Sequence, residues 1–290
     1  PRSTPLYSSA ASDVYKRQIH IQPDTVRTVG PDAVVEGPIG VPETLIRLLL
    51  GLIWVGLASG GFLFALIICL PSRATRIKIG NIYGSVAGRG AAWLTGSRFV
   101  IKGEQHADRH TPTLYVCNHA SILDIFVGIW MSRVGTCGVA KKEIVYYPFF
   151  GQFFWLAGHL TLDRSNNKRA VGALEKLVGF VARHKLSVYI WPEGTRSRDG
   201  RLLPFKRGAF HLALATKLPI VPIVLTGTQR AWPNRTLTLY KTTVNIQFLP
   251  PIPTAHWTKD NLDEHIEEIR QVYLKHLPED QKPVPLPVAA

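Results

Sequence analysis

Along most of the chain, apolar positions arrive in short bursts that alternate between two periods. Phe99-Val100-Ile101 and residues 113–117, 138–140, 160–162, 187–191, 220–225 and 244–249 are brief apolar runs of the kind that form buried strands. Between them, apolar residues recur every three to four positions over residues 77–94, 121–131, 146–157, 167–184, 206–217 and 261–276, and this spacing predicts helices. In the helix over 167–184, Val171, Leu174, Leu177, Val178 and Val181 share one face. The alternation predicts an α/β fold with a mostly parallel central sheet flanked by helices. Pro222 interrupts one strand. It has no N–H to give a ladder, so its strand is expected at a sheet edge or a bulge.

One stretch breaks the alternation. Residues 48–70 run for 23 positions without a charge, bounded by Arg47 and by Arg73, Arg76 and Lys78. As a helix this run is about 34 Å long, enough to cross a bilayer core. It predicts an N-terminal membrane-associated helix or helical hairpin, and Gly60-Gly61 leaves a bent, re-entrant form open. Asp24, Asp32, Glu36 and Glu43 precede the run and the basic cluster follows it. That bias puts the body on the cytoplasmic side of the inner membrane. The organisation expected is a flexible lead-in over 19–47, the membrane element over 48–70, a catalytic domain over 71–280 and a mobile tail over 281–290. Residues 13–18, Asp-Val-Tyr-Lys-Arg-Gln, resemble a translated sequencing-library adaptor, so residues 1–18 are expected to be a non-native scar.

Composition narrows the partners. Hydrophobic residues make up 46% of the chain and charged ones 19%, which excludes a disordered chain. The formal net charge is +14, and +12 without the three cations and one anion of the expected scar. With a membrane run beside it, that charge points to acidic lipid and a phosphorylated substrate rather than nucleic acid. Cys69, Cys117 and Cys137 form no C-x-x-C pair and propose neither a disulfide framework nor a zinc site, so no metal is expected.

The candidate chemistry sits just past strand ends. Asn118-His119 follows the run ending at Cys117, and Asp124 stands five residues after His119. A turn there can bring imidazole and carboxylate together, leaving the other ring nitrogen as a base. Ser121-x-x-Asp124 fits a helix capping box equally well. Lys141 follows residues 138–140, Asp163-Arg164 follows 160–162, and Glu193-Gly194-Thr195-Arg196 follows the strand ending at Trp191. In an open α/β sheet, ligands bind at that rim, and arginine forks suit a phosphate. Alone, Asp163-Arg164 reads as a local ion pair and Arg198, Arg201 and Arg207 as solvated charges.

Four blocks in order resemble the glycerolipid acyltransferases, specifically the 1-acylglycerol-3-phosphate acyltransferases of bacterial type. They are Asn118-His119-x4-Asp124, Gly158-His-Leu-Thr-Leu-Asp163-Arg164, Pro192-Glu-Gly-Thr-Arg196 and Leu218-Pro-Ile-Val-Pro222-Ile-Val224. The likeness covers roughly residues 48–275, and Thr161 stands where the family usually carries phenylalanine or isoleucine. The resemblance implies that His119 takes the proton of the 2-hydroxyl of lysophosphatidic acid, with Asp124 orienting its ring. The hydroxyl then attacks an acyl thioester directly to give phosphatidic acid, a step of phospholipid biosynthesis. It implies that Arg196 grips the phosphate, with Glu193, Gly194 and Thr195 in its loop and Arg164 and Lys141 as helpers. No cofactor is expected; the co-substrate is acyl-CoA or an acyl carrier protein thioester, and membrane lipids are the other partners.

Rival readings remain. One is an acyltransferase acting on another lysolipid, such as a lyso-ornithine lipid. A lipid hydrolase would use Ser121 or Cys117, but the G-x-S-x-G elbow is absent. A non-catalytic lipid-binding scaffold would not need the His119–Asp124 pair.

Overall fold

The computed structural model describes residues 24–32, 34, 36–69, 72–108, 110–163, 165 and 167–284. The expected scar and most of the expected tail lie outside the described residues, as does Arg164. In chain order the strands are β1 (Val26–Val29), β2 (Gly37–Pro38), β3 (Arg98–Lys102), β4 (Leu114–Cys117), β5 (Thr136–Lys141), β6 (Leu160–Leu162), β7 (Ser187–Ile190), β8 (Ile220–Thr226), β9 (Tyr240–Lys241) and β10 (Thr243–Phe248). The helices are α1 (Val41–Cys69), α2 (Arg73–Trp93), α3 (Leu123–Met131), α4 (Phe150–Leu156), α5 (Asn167–His184), α6 (Arg207–Thr216), α7 (Thr228–Ala231) and α8 (Leu262–His276). Among the described residues the main sheet has eight strands in the order β1-β3-β10-β8-β4-β7-β5-β6. Neighbours pair in parallel except β1 with β3 and β10 with β8.

Both faces of this sheet are covered, which is why its strands are apolar runs rather than half-polar alternations. Leu114 and Val116 of β4 face one layer with Leu177 and Val181 of α5, Phe210 of α6 and Tyr273 of α8. Tyr115 and Cys117 face the other, with Leu123, Val127 and Trp130 of α3. The Tyr273 hydroxyl donates to the Val116 carbonyl at 2.6 Å, satisfying the one polar atom it carries into the core.

The lead-in expected to be flexible instead contributes β1, paired in register from Val26–Lys102 to Val29–Phe99. Four residues are too few to show a period, but they cap the open edge of β3. The expected helix over 146–157 also divides. Tyr147 is extended, at φ −75° and ψ 121°, because Pro148 follows it, and α4 starts only at Phe150.

Pro222 meets its expectation at a bulge rather than at an edge. Its strand β8 lies in the middle of the sheet, between β4 and β10. The antiparallel register with β10 ends at Ile223–Phe248, and beyond it the Pro222 carbonyl accepts the Leu249 amide at 2.9 Å. The pairing resumes one residue out of step at Ile220–Ile252, so the partner chain carries one extra residue opposite Val221-Pro222 and the missing N–H falls at that bulge.

The membrane run forms one continuous helix through Gly60-Gly61, starting earlier than the apolar stretch. Arg47 bonds Glu43 one turn back at 2.7 Å and donates to the Leu94 carbonyl at 2.8 Å, so a charge pair extends α1 and ties it to the end of α2. Within residues 41–65 the most apolar 18-residue window has a mean hydropathy of 2.1, and only 17% of that window is buried. Leu45, Leu49, Leu57 and Phe64 all point outward. A helix so apolar and so uncovered has the length and composition of a membrane element rather than a core helix.

α2 packs against both α1 and α3. At its closest approach Gly88 meets the Phe126 carbonyl, and a Cβ there would lie 2.6 Å from Ile129 Cγ1. Gly88→Ala is therefore expected to destabilise the protein. Overpacking costs about 1–3 kcal/mol and outweighs the gain in helix propensity, at most about 1 kcal/mol. Thermal unfolding in detergent checks this; an unchanged or raised Tm would show that α2 and α3 separate freely.

Candidate active site

Strands β4, β7 and β5 lie side by side and parallel, so their C-terminal ends share one rim. His119 leaves β4, the segment Trp191–Arg196 leaves β7, and Lys141 ends β5. Asn118 fixes the departure of the first loop by acting as an extra ladder residue. Its Nδ2 donates to the Leu225 carbonyl of β8 at 2.9 Å, and its Oδ1 accepts the Leu225 amide at 2.7 Å.

Asp124 is fully buried in the first turn of α3. Its Oδ2 accepts the amides of Ala120 and Ser121 at 2.6 and 2.7 Å and lies 3.0 Å from His119 Nδ1. Capping and orientation are thus performed by one oxygen. An acceptor there puts the ring proton on Nδ1 and leaves Nε2 with its lone pair. The indole of Trp191 stacks on the imidazole with centroids 4.7 Å apart and planes 23° from parallel.

Glu193 shapes its loop, as the resemblance implied, and does so from inside the protein. It is 2% exposed and does not line the cavity. One oxygen accepts the His119 amide at 2.5 Å and the other the Leu203 amide at 2.9 Å. Burial pushes its carboxyl up to about 8, although both amides pull the other way. It holds loops together instead of touching a ligand. The Ser197 amide donates to the His119 carbonyl at 2.9 Å, so the two loops are bonded at both ends of His119.

His119, Lys141, Gly194, Thr195, Trp191 and Arg196 line the mouth of a cavity of about 300 Å³. Its interior is apolar, walled by Gly80 and Gly84 of α2, Ile129 of α3 and Phe153 and Phe154 of α4. Asp163 stays outside. It pairs with Lys142 at 3.0 Å, and Ser165 and then Lys142 hold its carboxyl down at about 2. Neither rival nucleophile is available: burial pushes the Cys117 thiol well above its ordinary value, and the fully buried Ser121 hydroxyl donates to the Trp232 carbonyl at 2.7 Å. Among the described residues no cluster of three His, Cys, Asp or Glu could hold a metal.

Two participants were missed in the sequence. Asn234 Nδ2 donates to the Ala120 carbonyl at 2.8 Å and the Ser197 carbonyl at 2.6 Å, spanning both loops. Nothing local in the sequence signals a bridge to carbonyls 114 and 37 positions earlier. His159 lines the deep end of the cavity; burial lowers its imidazole to about 4, and its Nδ1 accepts the Gly138 amide at 3.1 Å.

The Acyltransferase family model matches residues 98–226, which contain all of the rim residues described above. A 1-acyl-sn-glycerol-3-phosphate acyltransferase from Limnanthes douglasii is 43% identical over 219 residues, covering 76% of this chain and 77% of its own. The enzyme of that name from Escherichia coli K12 is 33% identical over 222 residues, covering 76% of this chain and 89% of its own. In structure, the 1-acyl-sn-glycerophosphate (LPA) acyltransferase PlsC from Thermotoga maritima superposes with a TM-score of 0.68 at 21% identity, over 82% of this chain and 97% of that one.

The Glu193 clamp has a pH signature. Its folded pKa of about 8 lies above the unfolded value of about 4.3, so the folded state binds the extra proton. Its contribution to stability is full below about pH 4 and is lost as pH rises toward about 8. Wild-type Tm is therefore expected to fall relative to that of Glu193→Gln between about pH 5 and pH 8. An equal difference between the two proteins at both pH values would show that the carboxyl is not held protonated.

Proposed function

The chain belongs to the 1-acyl-sn-glycerol-3-phosphate acyltransferases, and on that premise we propose that it acylates the 2-hydroxyl of lysophosphatidic acid with His119 as general base. What carries this reading is that a base oriented by a carboxylate and two cations, Arg196 and Lys141, line the mouth of one cavity with an apolar interior. A phosphate, a hydroxyl and an acyl chain each find a complementary surface there.

In the proposed reaction the acceptor hydroxyl gives its proton to His119 Nε2 while its oxygen bonds to the thioester carbonyl carbon. The tetrahedral adduct collapses, the carbon–sulfur bond breaks, and the departing thiolate takes the proton back from the imidazolium. Asp124 keeps the ring in place and offsets its transient charge. No acyl-enzyme forms, in keeping with the closed-off Ser121 and Cys117. The donor is a thioester of coenzyme A or acyl carrier protein, whose acyl chain occupies the apolar interior between α2 and α4. Arg196 receives the acceptor phosphate, and Gly194, Thr195 and Lys141 complete its surroundings. Apolar α1 supports membrane association, and Arg73, Arg76 and Lys78 after it support a body on the cytoplasmic side of the inner membrane.

His119→Ala is expected to lower turnover by about a hundredfold or more while leaving membrane association intact. A variant retaining more than a tenth of the rate would rule out the base.

Arg196→Ala tests the phosphate contact separately. A charge-assisted hydrogen bond is worth about 1.5–3 kcal/mol, so kcat/KM for lysophosphatidic acid is expected to drop by roughly ten- to a hundredfold. A lysolipid without a phosphate monoester should be affected much less, and donor KM hardly at all. An equal drop for both acceptors would make Arg196 structural.

A further inference from the structure

We infer that a second cavity, about 230 Å³ and separate from the catalytic one, holds the acceptor's own acyl chain during transfer. It lies between the membrane helix and the body, lined by Leu48, Gly51, Leu52 and Val55 of α1 and Ala91 and Leu94 at the end of α2. The inference rests on the acceptor being a lysolipid, as proposed above.

Direct transfer requires two chains at one histidine together: the donor's acyl group and the chain the lysolipid already carries. Burying each methylene strengthens binding about fourfold, so a site that sheltered only one chain would hold the other poorly. The two cavities share a wall made by Ile125, Ile144, Tyr147 and Phe150. Ile125 follows Asp124 directly, so the shared wall begins one residue beyond the carboxylate that orients His119. Two chains entering from opposite sides of that wall converge on the same catalytic loop.

The walls also decide which chain goes where. The second cavity has α1 as one side, and the outer surface of α1 is uncovered and apolar. A lipid moving laterally in the bilayer meets that side first. The donor arrives on a water-soluble carrier and has no need to pass α1. The acceptor is the membrane lipid of the pair, so the α1 side belongs to it.

Filling the two cavities one at a time tests the assignment. A Cβ at Gly51 meets Leu94 Cδ1 at 3.6 Å, an ordinary contact, so Gly51→Leu is accommodated and its remaining atoms occupy the cavity. Ala91→Leu fills it from the opposite helix. With the full chain reconstituted in phospholipid vesicles, kcat/KM is measured for long- and short-chain lysophosphatidic acids and for long- and short-chain donors. Both variants are expected to lower the long-to-short acceptor ratio by about tenfold or more while leaving the donor ratio unchanged. Activity on the short-chain acceptor reports that the variants fold. Gly84→Val is the converse, since a Cβ there fits 3.8 Å from Ile129 Cβ inside the catalytic cavity, and it should shift the donor ratio alone. An unchanged acceptor ratio in Gly51→Leu and Ala91→Leu overturns the inference and leaves the cavity to bulk lipid or packing. A shifted donor ratio in these two variants overturns it in favour of the donor chain. If the wild type acylates only lysolipids lacking a phosphate, the acceptor reading fails, yet an acceptor-chain shift with that lysolipid still supports the cavity's role.

Discussion

A buried carboxyl that accepts one amide on each oxygen sets the geometry of this site. Glu193 leaves β7 and reaches across to the His119 amide of the neighbouring loop, while its second oxygen holds Leu203. Parallel strands carry no turn between them, so their outgoing loops have no covalent reason to stay in register. Glu193 supplies that reason, and the Ser197–His119 and Asn234–Ala120–Ser197 hydrogen bonds repeat it from other directions. The distance between the base and Arg196 is thereby fixed by the protein interior rather than by exposed loops. Preorganisation of this kind is what positions two reactants without a covalent intermediate.

The second constraint comes from glycine. α2 carries Gly80, Gly84 and Gly88 one turn apart, and the last lets α2 touch the backbone of α3. Close approach at one end and missing side chains further along leave a gap between helix and sheet, and that gap is the apolar interior of the catalytic cavity. α1, tied to the end of α2 through Arg47, adds the second cavity on the outer side. The element that contacts lipid and the element that walls the active site are thus packed directly on one another.

How much of this was readable from the chain follows the range of the forces involved. α5 and β6 run over the residues their patterns mark, because a helical stripe and an apolar run are local signals. The rim was readable too for the loops that leave the neighbouring parallel strands β4, β7 and β5, though not for Asp163 after the edge strand β6. Pro222 was readable as an edge or a bulge, and only the extra residue in its partner strand, far along the chain, decides between the two. β1 was invisible because it is short and takes its partner from residues far along the chain. Glu193 was readable as a residue that shapes its loop, but the two amides it accepts were not, since an exposed loop charge and a buried clamp have the same sequence. Asn234 gave no signal because its two acceptors are main-chain carbonyls, which carry no side-chain identity.

The capping and catalytic interpretations of Ser121-x-x-Asp124 turn out to describe one arrangement. An oxygen that accepts two amides from the turn leading into α3 cannot move without leaving those donors bare in the interior, at about 1–3 kcal/mol each. The same oxygen faces His119 Nδ1, so the stability of the helix start holds the imidazole in its orientation. A carboxylate is also what an imidazolium needs beside it when the proton arrives. Trp191 covers one face of the ring and Glu193 holds its backbone, which leaves the ring free chiefly at its edge toward the cavity. In the proposed mechanism a motif five residues apart can serve as a base because the fold uses it first as a cap.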